Sequence, residues 1–202
     1  NDDLFFADCV SGFSPHIEII EGIQVIAQSL ATFHANTLET CFDACIKNTL
    51  VNDNVLPVVC RSAHYDSISK FCLLFSTSIA PVGNAHYISN NNVIYMEKIC
   101  ISDRANSYCT KALRRIPQYI LVGHATAVID VKSQSQCIEI CLLSMETVGF
   151  TCRSVMHFYE FRKANCILNQ DSARTDPEYF TSEQELRVDY IELEECFISG
   201  IL

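Results

Sequence analysis

The chain has 202 residues, 12 of them cysteine and only 6 glycine, and carries a formal net charge of −10. Four cations against ten acids up to Ser102, and ten against fourteen beyond it, leave both halves acidic, which argues against sequence-independent contact with nucleic acid, since that requires clustered cations. No run of about 18 apolar residues is present to span a bilayer, and the lack of Cys-x-x-Cys and of histidine pairs at zinc-finger spacing argues against structural zinc.

Asn1-Asp2-Asp3 reads as a mature end or as a boundary cut within a longer chain, and Cys9 opens the first half. Ile17 and Ile19, then Ile23 and Val25, alternate with polar residues about Gly22, which predicts strand material with a turn or bulge at the glycine. A helix is predicted over 37–48. Thr37 stands four residues before Cys41, where its hydroxyl can accept from the free amides of a first turn. Leu38, Cys41, Phe42, Cys45 and Ile46 then share one face, so both thiols point into the core. After a polar Asn52-Asp53-Asn54 loop come strand-like stretches over 55–65, with Cys60, and over 71–75, with Cys72. A turn at 81–84 and the polar Asn90-Asn91-Asn92 precede a last strand over 93–99, which closes at Cys100.

The second half repeats this order. Cys109 opens it, strands are predicted over 119–129 around Gly123, and a helix over 133–145 carries Cys137, Ile138, Cys141, Leu142 and Met145 on one face. Cys60-Arg61-Ser62 matches Cys152-Arg153-Ser154, Cys72-Leu73-Leu74 matches Cys166-Ile167-Leu168, and Val93-x-Tyr95-x-Glu97 matches Val188-x-Tyr190-x-Glu192 before Cys196. Two domains follow, 1–102 and 103–202, each an α+β unit with a curved antiparallel sheet packed on one helix. Units this small bury limited apolar surface and need staples. Six cysteines in each predict disulfides, hence an oxidising compartment and a secreted or extracellular protein.

The order of a first cysteine, a Cys-x-x-x-Cys helix, Cys-Arg-Ser with aromatics, Cys-Leu-Leu or Cys-Ile-Leu, and a closing cysteine resembles the PAN/apple domain family, in two tandem copies covering nearly the whole chain. Six cysteines per unit leave fifteen pairings open. The resemblance implies Cys9 with Cys100, Cys41 with Cys72 and Cys45 with Cys60, then Cys109 with Cys196, Cys137 with Cys166 and Cys141 with Cys152. It also implies a non-catalytic extracellular interaction module for protein or glycan partners, self-association included. The glycine-poor tandem form is similar to the PAN domains of invertebrate apical-matrix and cuticle proteins, where they precede a zona pellucida module. The alternatives are the partner-recruiting apple region of a secreted protease or growth factor, and a lectin-like adhesion protein.

The residues themselves offer little catalytic chemistry. There is no Gly-x-Ser-x-Gly, His-Glu-x-x-His or glycine-rich phosphate loop, so neither an enzyme nor a cofactor is expected. His64 and His157 recur just after the Cys-Arg-Ser cysteines and read as structural or surface histidines. Arg61 and Arg153 read as structural too, lying over aromatics or pairing within their own domain, with a carboxylate or sulfate ligand as the alternative. Lys111, Arg114 and Arg115 form the one basic cluster, which either binds an acidic glycan or holds the acidic strand near the carboxyl end. The segment 176–195 carries eight acids against Arg187 and reads as a solvated face; it lacks the spacing and glycine of an EF-hand, so no metal site is expected. No Asn-x-Ser/Thr sequon occurs. The mostly apolar tail after Cys196 is expected to lead into further chain.

Overall fold

The computed structural model describes residues 9–50 and 52–198; Asn1-Asp2-Asp3 and the tail residues 199–202 lie outside the described residues. Contacts divide the chain into two compact units, one built on Ile17–Lys98 and the other on Ile99–Leu202 together with Ser11–His16.

The elements of the first half are β1 (Phe13–Ile26), β2 (Ala31–His34), α1 (Leu38–Ile46), β3 (Ser62–Asp66), β4 (Phe71–Phe75) and β5 (His86–Ser102). The strands lie in the order β2-β4-β3-β5-β1, with β4 antiparallel to both β2 and β3, and β3 antiparallel to β5. The second half contains α2 (Asp103–Asn106), β6 (Leu113–Pro117), β7 (Tyr119–Leu121), β8 (Ala125–Ile129), α3 (Gln134–Leu142) and α4 (Ser144–Thr147). Then come β9 (Ser154–Phe158), β10 (Cys166–Asn169), β11 (Phe180–Ser182), β12 (Val188–Glu192) and α5 (Glu195–Ile198). Its strands run β8-β10-β9-β12-β6. Position for position this is the first order again, while β7 and β11 form a separate antiparallel pair.

Both main helices start at their hydroxyl residue. Thr37 Oγ1 accepts from the Thr40 amide at 3.2 Å, and Ser133 Oγ from the Gln136 amide at 3.2 Å. Helix α1 stops two residues before the predicted end because Asn48 turns left-handed (φ 53°), a conformation that asparagine tolerates beyond a helix terminus. Lys98 Nζ donates to the Cys45 carbonyl at 3.1 Å, placing a cation where the helix dipole is negative.

The predicted inward faces hold at their cysteines and neighbouring apolar residues but not at their far ends, where the chain leaves the regular helix and Ile46 and Met145 are exposed. Cys41, Phe42, Ala44 and Cys45 pack with Ala63, Tyr65, Leu74 and Met96, while Cys137, Ile138, Cys141 and Leu142 pack with Val155, Leu168 and Ile191. Burying a side chain such as Ile138 or Leu142 contributes about 1.5–3 kcal/mol. Disulfides then fasten each helix at two points, Cys41 to Cys72 and Cys45 to Cys60, Cys137 to Cys166 and Cys141 to Cys152. Cys109 is bonded to Cys196, and Cys9 and Cys100 are disulfide-bonded as well, so no thiol is free.

One local reading is narrowed to its bulge alternative, and two change. Gly22 does not interrupt β1, which continues to Ile26; with φ 81° the glycine inserts a bulge, so that Ile20 and Ile23, three residues apart, enter the same core cluster. Asn90-Asn91-Asn92 is part of the long β5, where Asn90 Nδ2 donates to Gln24 Oε1 at 2.8 Å. The second half gains a strand, β6, ahead of the predicted start at Tyr119, and it carries both arginines of the basic cluster.

Candidate functional site

Strand β6 takes the basic cluster apart. Successive side chains on a strand point to opposite faces, so Arg114 is exposed while Arg115 is buried at 1% exposure. Arg115 Nε lies 3.2 Å from Asp189 Oδ2 on β12, and Tyr159 donates its hydroxyl to the same carboxylate. Arg115 is therefore an interior partner of the acidic strand and is not a surface ligand residue. Lys111 remains exposed, and its carbonyl accepts from His16 Nε2 at 3.0 Å.

The acidic segment is likewise no simple solvated face. Asp189 pairs with Arg115, and Glu192, also buried, meets Arg174 Nε at 2.6 Å. Burial pushes the Glu192 carboxyl above its ordinary range, against the pull of Arg174 and Arg114. Arg174 also reaches Glu195, whose hydrogen bond is the main reason its guanidinium is held above its usual pKa. Glu183 Oε1 accepts from the Glu185 and Leu186 amides, and these bonds hold its carboxyl below the usual range. Glu194 accepts from Ser172 and lies 3.6 Å from Arg153, which pairs that arginine within its own domain. Arg61 and Arg153 hold equivalent backbone positions in the two units. Each amide donates to the neighbouring strand (Phe75, Asn169) and each carbonyl accepts from Lys98 or Leu193, all at 2.8–2.9 Å.

The recurrent histidines are core residues, each 4% exposed. His64 Nδ1 accepts from the Val25 amide at 3.2 Å, a bond that requires the unprotonated nitrogen, and its ring packs on Phe75. Burial lowers its pKa from 6.5 to about 4, with Asp66 opposing; burial lowers that of His157 as well. Between about pH 6.5 and 4 the unfolded chain thus binds a proton on His64 that the folded chain refuses. Stability is complete above that window and falls as pH drops through it, by about 2 kcal/mol for His64 after solvent screening. Urea unfolding at pH 7 and pH 4.5 measures this loss. His64→Gln, whose carbonyl can still accept from Val25, reduces the pH dependence by about the same amount; an unchanged profile in that variant assigns the loss to other groups.

Two features of the second unit were not visible in the sequence. On β7 and β11 and the residues beside them, Tyr119, Val122 just after β7 and Tyr179 just before β11 (48% exposed) are partly exposed, with Tyr119 stacked on Phe180 at 4.9 Å. Beside them His124, Asp171 and Asp176 bring one potential metal-ligating atom each within 4.8 Å of the others, and His124 Nδ1 lies 2.8 Å from Asp171 Oδ2. The three come from separate turns, so no fixed spacing announces them. In the first unit, an open groove of about 240 Å³ lies along α1, lined by Thr40, Asp43, Lys47, Thr49, Leu50 and Asp53; there Lys47 and Asp43 pair with each other at 2.7 Å.

Among the described residues no helix is long and apolar enough to cross a membrane. Six disulfides point to an extracellular or secreted protein. The chain is 34% identical over 175 residues to an uncharacterized protein of Caenorhabditis elegans, an alignment that covers 86% of this chain and 27% of that protein, so the chain spans about a quarter of its relative's length. The PAN domain family matches twice, over residues 9–100 and 109–196, from the first to the last cysteine of each half. With both of its six-cysteine units matched, the chain belongs to the PAN domain family, whose domains are non-catalytic extracellular interaction modules for protein or carbohydrate.

Proposed function

We propose that the chain is the partner-binding segment of an apical extracellular-matrix or cuticle protein, and that its second domain holds a matrix polysaccharide or matrix protein. The observation that carries this reading is the partly exposed apolar surface at β7 and the start of β11, formed by Tyr119, Val122 and Tyr179. Tyrosine offers a flat apolar ring with a polar edge, which suits stacking on a sugar ring and recurs in protein-binding hot spots. Many charged groups of this unit are tied up within it, and Lys111 and Arg114 are among the cations that stay exposed and can meet an acidic glycan. The quarter-length match to a longer nematode protein supports a role as one segment of a mosaic chain.

The test is cosedimentation of the oxidised two-domain protein with insoluble chitin and with a sulfated glycan, alongside sedimentation velocity for self-association. Tyr119→Ala with Tyr179→Ala weakens binding by about 30-fold, the loss of one hot spot of about 2 kcal/mol. Lys111→Ala with Arg114→Ala weakens only the sulfated glycan and reduces its salt dependence. A protein that stays monomeric and binds neither polymer overturns the matrix reading.

A further inference from the structure

His124, Asp171 and Asp176 are drawn together by the turns that flank β7, β10 and β11. Gly123 (φ 80°) reverses the chain before His124, and the Val122 amide donates to the Tyr179 carbonyl at 2.9 Å, which ties that turn to the 176–179 turn. The Tyr179 ring lies 5.0 Å from the imidazole and limits its rotation. In a tetrahedral site with bonds of about 2.0–2.2 Å, the ligand atoms of zinc lie about 3.3–3.6 Å apart. A spread within 4.8 Å therefore leaves at most about 1.2–1.5 Å to close, which small rotations of the half-buried side chains can supply.

The charge balance points the same way. Asp176 accepts a hydrogen bond from Thr175 Oγ1 at 2.7 Å and meets no lysine or arginine among the described residues, while neighbouring Arg174 is turned to Glu192 and Glu195. Two carboxylates and a neutral imidazole neutralise a doubly charged cation.

Nor does the fold require these residues. The Asp171 carbonyl accepts from Ser154 Oγ at 2.7 Å, and in the first unit the Thr77 carbonyl accepts from Ser62 Oγ at 2.7 Å in the corresponding place. The same architecture is thus built there with threonine at the position of Asp171, its hydroxyl bound to Asn84. A second-unit aspartate, a histidine and a further aspartate around one point are an addition to the shared frame.

We infer that the second domain binds one divalent cation of the zinc class through His124, Asp171 and Asp176. The imidazole selects zinc-type ions over calcium and magnesium, which favour oxygen-only sites. Three protein ligands leave a coordination position open to water or to an oxygen of a partner beside Tyr179.

Calorimetric titration of the EDTA-treated, oxidised two-domain protein with zinc chloride tests this without reference to any partner. The expected result is one equivalent bound per chain, with affinity reduced at least tenfold in His124→Ala and in Asp176→Asn, and unchanged in His86→Ala, which removes an exposed histidine of the other unit. Near-ultraviolet circular dichroism checks that each variant is folded. Should His124→Ala not fold, selective paramagnetic shifting of the His124 imidazole resonances by substoichiometric Co²⁺, a zinc-like ion, in the unaltered protein gives the same answer. No uptake at millimolar zinc overturns the site and leaves His124 and Asp171 as an ordinary ion pair. Binding that ignores both substitutions, or calcium bound as tightly as zinc, overturns it equally.

Discussion

Alanine at both Cys109 and Cys196 lowers the unfolding free energy of the second domain by about 4–5 kcal/mol, whereas the same change at Cys141 and Cys152 costs about 3 kcal/mol. The first bond closes a separation of 87 residues and the second only 11. Cross-linking removes chain entropy from the unfolded ensemble in proportion to the logarithm of the loop, so the longer closure has the larger effect. Packing argues for the opposite order, since Cys141 and Cys152 are both fully buried while Cys196 is only partly so. A small domain has about 5–15 kcal/mol in total, and the loss of the 109–196 closure takes a large share of it. Urea unfolding of the two double variants, followed through a probe in the second domain, decides between the accounts. If the Cys141/Cys152 pair proves the costlier loss, anchoring of α3 to the core outweighs loop entropy.

The helices were legible because everything that makes them is local. A hydroxyl, a cysteine four residues on and another four beyond that lie within one short window, and the structure caps and buries those same residues. The α+β class and the doubling followed from the same landmarks. What stayed hidden depends on pairs distant in sequence. Glu192 is interior where Arg174 faces it, and Asp189 where Arg115 does; Glu192 recurs at the position of Glu97, which is buried as well, but a recurring glutamate does not by itself announce burial. Strand β6 was missed because adjacent arginines read as a patch, although the strand period of two sends one outward and one inward. His124 reaches Asp171 across 47 residues, where no spacing rule operates.

Replacing Arg115 by methionine costs about 3–5 kcal/mol, because it leaves Asp189 charged in the interior. Arg115 and Asp189 have side chains 1% and 3% exposed, so water cannot take over the missing partner. The cost belongs to the orphaned carboxylate and not to the attraction itself. Adding Asp189→Leu to Arg115→Met therefore restores most of the loss, since a buried pair replaced by apolar groups is often neutral or better. Tyr159 loses an acceptor in that double variant, but its partly exposed hydroxyl can turn to water. His157 reports on the same change. Asp189 already works against the burial that lowers its pKa, so an Asp189 stripped of Arg115 favours protonated His157 more strongly, and the single variant loses less stability through His157 than the parent does as pH falls toward 5. Chemical unfolding of the single and double variants at pH 7 and pH 5 tests both points. A single variant within 1 kcal/mol of the parent would place the pair in contact with solvent and return Arg115 to the surface cluster beside Arg114. A double variant no better than the single one would instead give the guanidinium an indispensable role in joining β6 to β12.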